Sequence, residues 1–390
     1  MSSAMKNHAN VTLVSWGLAL VVFFQNPPWP LWGCGLLLGY ILPLLLVIYI
    51  YIQRRNCYLL QGVQQKRFPI LYISLFFLLI IPSMYGLKLS SIFIFITYIL
   101  LFRVAQGELK HSLIVLTNII AYVVLLSLPF WIFHVFISEL PVYGEIDITE
   151  MKGNSYILDN HIFFLTYKGF DFFRFYSVFD EPGVLGTLSS FILFGNRYNF
   201  KQWQNVVILI GGIFTYSMAF YVLSLLGYFY YNTCSLKYFI KSFSFLLCIV
   251  FIVFIALKDD LAFSLSVVER FKDFGLNRIE NRTGEEINRH LNEMFYSPII
   301  LFGEGTSFFQ KHRSEVGASY KLFIIEYGIM GLLSLLLMYF SLLWQKNRDT
   351  LFFFFLFFLS FLQRPYAFTS WQLIVFAAVV ASLSKDIKYD

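Results

Sequence analysis

Long apolar runs broken by short polar turns make up most of this chain. Several runs approach or exceed the roughly 18 residues that cross a bilayer, so the pattern predicts helices throughout. Spans are expected at about 11–25, 31–52, 68–86, 89–102, 112–138, 183–195, 239–257, 318–344, 350–362 and 371–384. Segment 203–231 is too long for one ordinary span and short for two. It reads as two short spans meeting at Thr215-Tyr216-Ser217. The expected fold is an all-α polytopic membrane protein of about 12 transmembrane helices, one integral domain over residues 1–390. Two long polar loops interrupt it, at 139–181 and 258–316. Read as one span, 203–231 would give eleven and turn the second loop inward.

The positions of lysine and arginine set the orientation. Arg54, Arg55, Arg103, Lys110, Arg197 and Lys201 crowd the turns on one side, whereas the opposite short turns carry only Lys88 and Arg364. The positive-inside rule then puts both termini in the cytoplasm and both long loops outside. The first run is followed by Asn26-Pro27-Pro28-Trp29-Pro30 instead of a small-residue cleavage site, so it reads as a span and not as a cleaved leader.

Within the second loop, Thr283 is the expected N-cap of a helix that places Ile287, Leu291, Met294 and Phe295 on one face. Such an amphipathic helix is expected to lie on the membrane surface.

Composition sharpens this picture. Hydrophobic residues make up 58% of the chain and charged residues 13%, with a net charge of +6. The charged share is about half the globular norm of about 25%. Of the four cysteines, two fall inside spans and two on the cytoplasmic side (Cys34, Cys57, Cys234, Cys248), and none falls in the long exterior loops. No disulfide framework is expected. The six histidines form no H-E-x-x-H pair, and C-x-x-C spacing is absent, so no metal site or cofactor is expected.

The densest candidate chemistry lies at 170–187, where Arg174, Asp180 and Glu181 sit among aromatic residues just before Pro182-Gly183 and an apolar run. Charges beside a span are expensive unless they face water or a partner. Proline is tolerated in the first helical turn, and carboxylates suit a helix start. The second loop holds Arg270, Arg278, Arg282, Arg289 and Arg313. For each arginine alone, a solvated or headgroup-binding role is the simpler one. As a cluster they suit phosphate, which a guanidinium grips with two parallel bonds.

Arg174, Phe179-Asp180-Glu181-Pro182-Gly183 and Gly186-Thr187 resemble the O-antigen polymerase (Wzy) family and, more broadly, the O-antigen polymerase/ligase superfamily. A second match is Gly303-Glu304-Gly305-Thr306-Ser307 followed by Glu326-Tyr327-Gly328-Ile329-Met330-Gly331. A third is Gln363-Arg364-Pro365-Tyr366. Two departures stand out. Met218 occupies a position where some superfamily members carry arginine, and Gly317-Ala318-Ser319-Tyr320 lacks the histidine of ligases, with His312 out of alignment.

The resemblance implies a GT-C-like, metal-independent glycosyltransferase without a cofactor. It would polymerise undecaprenyl-pyrophosphate-linked repeats at the periplasmic face of the bacterial inner membrane. Donor and acceptor glycans, membrane lipids and a chain-length regulator would be its partners, and no nucleic acid. Pyrophosphate is already a good leaving group, so the site must supply positive charge and one base. Glu181 is the expected base, beside Asp180; an apolar surround raises a carboxyl's pKa toward that role. Arg174, Arg270, Arg278, Arg282, Arg289, Arg313, Arg364, Gly303, Gly305 and Ser307 would bind substrate. Phe172, Phe173, Phe175, Tyr176 and Phe179 would stack on sugars or anchor at the lipid interface. Gly211-Gly212 reads as close helix packing or as a broken helix lining a cavity. An O-antigen ligase and a lipid-linked glycan flippase remain as alternatives, the latter predicting ionisable groups in mid-span.

Overall fold

The computed structural model describes residues 3–26, 41–46, 48–50, 52, 67–86, 88–147, 157–168, 174–232, 285–305, 320–343, 345–363 and 366–385. In chain order the labelled elements are α1 (Ser3–Gln25), α2 (Arg67–Leu75), a π-helical turn (Phe76–Ile80), α3 (Ile81–Tyr85), α4 (Leu89–Leu101) and α5 (Gln106–Phe136). Strands β1 (Gly144–Asp147), β2 (Ile157–Asn160) and β3 (Leu165–Tyr167) follow, then α6 (Pro182–Gly195), α7 (Trp203–Phe214) and α8 (Met218–Asn232). The chain closes with α9 (Glu285–Phe295), α10 (Tyr320–Ser341), α11 (Arg348–Gln363) and α12 (Ser370–Leu383). The expected span at 239–257 and all four cysteines lie outside the described residues.

Two compact units result: Met1–Thr117 with Arg282–Asp390, and Asn118–Asn281. In the first, α12 is apolar all round and buried almost throughout, as a central helix must be. It packs on α1, α4 and α11. Gln106 donates from Nε2 to the carbonyls of Ala381 (3.2 Å) and Ser384 (3.3 Å), satisfying groups that the end of α12 leaves open.

Helices α5 and α10 are long and apolar enough to cross a membrane, and most others are shorter apolar helices. Outward faces are apolar as well: Leu71, Leu75, Leu78 and Leu79 are exposed along α2 and the π turn, and Leu351, Phe355 and Leu362 along α11. A water-soluble surface rarely carries such stripes. The architecture is mostly helical and compatible with a membrane protein.

Three expectations need correction. The fold is not all-α: the first long loop forms an antiparallel meander in the order β1-β2-β3, with Glu145 opposite Asp159 and Asp159 opposite Thr166. The polar, turn-rich composition of 139–168 hid strands of only three or four residues. Next, the amphipathic helix α9 exists, but its apolar side faces protein. Ile287, Leu291 and Met294 bury against Ile300, Leu322, Ile324 and Ile325. Phe295, assigned to the same face, is 55% exposed. Finally, α10 is long and apolar enough to cross a membrane, as expected, but it is not one continuous helix. Gly328 has φ 69° and ψ −174°, so two helical pieces meet there.

In the second unit the chain reverses twice. Asn196 donates from Nδ2 to Asn205 Oδ1 (2.8 Å) across the first turn, between α6 and α7. The second turn is Thr215-Tyr216-Ser217, where Tyr216 takes φ 47°. Helix α8 then runs beside α6 in the same direction. A Cβ on Gly186 would meet Ser217, Ser224 bonds Ser190 at 3.1 Å, and a Cβ on Gly227 would meet Phe194 and Tyr198. Segment 203–231 is therefore two helices, each about 18–22 Å long by rise, short of a hydrocarbon core of about 30 Å.

Candidate functional site

Sequence motifs converge on two places, one in each unit. In the second unit, Glu181 is the N-cap of α6 in extended conformation and Pro182 holds the first helical position. Proline's fixed φ and missing N–H suit that position. Every residue of α6 is buried, while Asp180 and Glu181 are half-buried at its head. The double reversal brings the 215–217 turn to this same end. Arg174 grips it, donating from Nε to the Thr215 carbonyl and from a terminal nitrogen to the Tyr216 carbonyl, both at 3.0 Å. The end of α7 leaves carbonyls open, and a guanidinium fork fits two of them.

Around this head the packing is tight. Phe175 and Phe179 are fully buried and Tyr176 nearly so. Phe175 meets Trp131 edge-on at 5.5 Å, and its N–H donates to the Phe214 carbonyl at 3.0 Å. These three rings are thus core, not sugar platforms; Phe172 and Phe173 lie outside the described residues. A Cβ on Gly211 would strike Val124, and one on Gly212 the Phe220 ring. Gly211-Gly212 serves close packing, and the helix break comes just after it.

Histidines that the sequence reading passed over hold the meander to α5. Leu140 N–H donates to His134 Nδ1 (2.8 Å), the His134 and His161 rings lie 4.4 Å apart, and His161 stacks on Phe164 at 4.6 Å. His161 donates from Nδ1 to the Pro141 carbonyl (3.2 Å), and its Nε2 meets the Thr166 hydroxyl at 3.0 Å. Burial pushes the His161 pKa below its ordinary value, against smaller upward pulls from the Pro141 carbonyl and Asp159.

In the first unit, the Gly303-Glu304-Gly305 stretch clasps the break in α10. Gly303, Gly305 and Gly328 all take positive φ. A Cβ on Gly303 would lie 2.5 Å from the Glu326 carbonyl oxygen, and one on Gly328 2.4 Å from that of Leu301. Only glycine permits this approach at these angles. The N–H groups of Glu304 and Gly305 donate to the carbonyls of Ile325 (2.7 Å) and Glu326 (3.0 Å), which the break would otherwise leave open. Gly303 and Gly305, expected to bind substrate, thus hold the backbone together.

Ionisable groups gather at this clasp. Lys88 pairs with Glu326 and sits 5.4 Å over the Tyr327 ring. Tyr85 donates to the Gly303 carbonyl. His290 meets Glu304 at 3.1 Å, and Lys321 donates to Asn288 Oδ1 at 2.7 Å. Burial pulls the Lys88 ammonium down to about 8 even with the Glu326 carboxylate beside it. Lys88 served the sequence reading only as a topology marker. The signal that would have found the cluster is Glu326, an acid inside an otherwise apolar run.

Arg289 is 72% exposed on the outer side of α9, 3.8 Å from Glu293. Arg270, Arg278, Arg282, Arg313, Arg364 and Ser307 lie outside the described residues. Among the described residues no three His, Cys, Asp or Glu side chains come together as metal ligands. No protein-family model, no curated protein and no solved structure matches this chain.

Proposed function

We infer that this chain is an O-antigen-polymerase-type glycosyltransferase of the bacterial inner membrane, joining undecaprenyl-pyrophosphate-linked repeats on the periplasmic side. Glu181 takes the proton of the acceptor hydroxyl as the new glycosidic bond forms, and the pyrophosphate leaves with the electron pair of the broken one. Asp180 orients the acceptor. Arg174, bonded to the Thr215 and Tyr216 carbonyls, offers its charge to the leaving group. The carrying observation is the half-buried acid pair at the head of a wholly buried helix, on the end that Arg174 braces. A carboxylate retained at such an edge suits proton transfer better than packing.

The experiment is the lipopolysaccharide ladder of the strain carrying the gene. Deletion should leave single-repeat capped lipopolysaccharide, and the wild-type gene should restore the ladder. A full ladder after deletion rejects the reading. Complete loss of capping with the lipid-linked repeats accumulating on the periplasmic side would indicate a ligase.

One observation favours a second reading, a lipid-linked glycan transporter: the Lys88–Glu326 pair sits at a helix break inside an apolar segment. Broken helices with ionisable groups mark transport sites. In that case deletion would trap the single repeat on the cytoplasmic side and abolish capping.

A further inference from the structure

The outward face of α9 presents Arg289, Asn292 and Glu293 as one stripe at helical spacing, and Tyr296 follows in the turn just past the helix end. With Asn288 they line an open groove of about 450 Å³, within the size range of small-ligand sites. Tyr296 is 94% exposed, which leaves a bare aromatic face at the groove's end. The opposite face of the helix is fully spent on the core with Leu322, Ile324 and Ile325. The stripe therefore takes no part in holding α9 in place.

We propose that this groove binds the sugar portion of the lipid-linked glycan, with Tyr296 stacking on a pyranose ring and Asn288, Asn292, Arg289 and Glu293 bonding its hydroxyls. The assignment rests on the glycosyltransferase reading above. The lining chooses this occupant by its charge. Arg289 and Glu293 lie 3.8 Å apart and cancel, and both asparagines are neutral. A pyrophosphate needs unbalanced positive charge; the described lining residues offer none, and the Lys321 ammonium next to them is buried and donates to Asn288 Oδ1. A neutral polyhydroxylated ring needs paired donors and acceptors beside an aromatic face, and the groove has both. Arg289 is thereby moved from the pyrophosphate to the sugar.

The test uses the full chain in lipid nanodiscs and two probes: the phosphate-free oligosaccharide released by mild acid from the strain's own lipid-linked repeat, and undecaprenyl pyrophosphate. Tyr296→Ala should weaken oligosaccharide binding by about tenfold, the loss of one stacked ring. Tyr296→Trp should keep it, and neither should change undecaprenyl pyrophosphate binding. Unchanged oligosaccharide binding in Tyr296→Ala overturns the proposal. So does an Arg289→Ala variant that loses undecaprenyl pyrophosphate, or sugar-free anionic vesicles, in place of the oligosaccharide. The two readings fail separately. A ladder lost on deletion with unchanged oligosaccharide binding in Tyr296→Ala sinks the groove alone. A ladder that survives deletion sinks the polymerase while Tyr296-dependent sugar binding would stand.

Discussion

Both units interrupt an apolar helical segment, one by a break within a helix and one by a turn between two, and they satisfy the open carbonyls differently. In the first, the break at Gly328 is closed by backbone: two N–H groups from a glycine loop meet the open carbonyls, and three glycines allow the approach. In the second, the Thr215 and Tyr216 carbonyls of the 215–217 turn are taken by a side chain, the Arg174 guanidinium. A backbone clasp has one geometry and no charge to lend. A guanidinium still carries a full charge and further donors after making two bonds. The comparison assigns the glycine motif to structure and leaves the acid–arginine motif as the one proposed for chemistry, although sequence resemblance treats both as site.

The largest effect should come from breaking the backbone clasp. Gly328→Ala forces a side chain into a region essentially reserved for glycine and onto the Leu301 carbonyl. A loss of about 3 kcal/mol or more is expected. It should register as a collapse of the thermal unfolding temperature in detergent. A midpoint within a degree of wild type would show that the break is not held as described.

Arg174→Ala comes next, removing two bonds from a charged donor, worth about 2 kcal/mol. Hydrogen exchange should speed up around 215–221 while α10 stays protected. Arg174→Lys should recover little, because an ammonium cannot fork across two carbonyls. Full protection in Arg174→Lys would mean that charge alone suffices.

The Lys88–Glu326 pair is partly exposed, so Lys88→Met should cost about 1 kcal/mol or less. A cost as large as that of Gly328→Ala would move the weight of the clasp from backbone to ion pair.

The smallest effect concerns pH. Folding holds the His161 pKa below 6.5, so the unfolded chain binds the proton first as acid is added. The contribution is complete above about pH 6.5 and falls as pH drops through the lower folded value. Exchange rates at 157–167, corrected for intrinsic chemistry, should rise over that window in wild type and less so in His161→Gln. Equal rises in the two would remove His161 from the account.

Much of the helical layout was legible in the sequence. Apolar runs ended where α4, α6, α11 and α12 end, and Thr215-Tyr216-Ser217 marked the break between α7 and α8. Hydrophobic length alone carries that information. The meander was hidden because strands this short have too few residues to display alternation. The clasp was half visible: Gly303, Gly305 and Gly328 could be picked out, but not that they meet each other, since that is a long-range contact. Tyr85, Lys88 and His290 gave no local signal, because their partners are distant in the chain. The apolar face of α9 was legible, yet whether lipid or protein would cover it depended on Leu322, Ile324 and Ile325.

The central claim, that the acid at the head of α6 performs chemistry, is tested most directly by the initial rate of glycan polymerisation by purified protein on lipid-linked repeat. Glu181→Gln should lose about a hundredfold or more, the usual share of a general base, with its unfolding temperature unchanged. A Glu181→Gln variant that folds and polymerises at the wild-type rate would contradict the account.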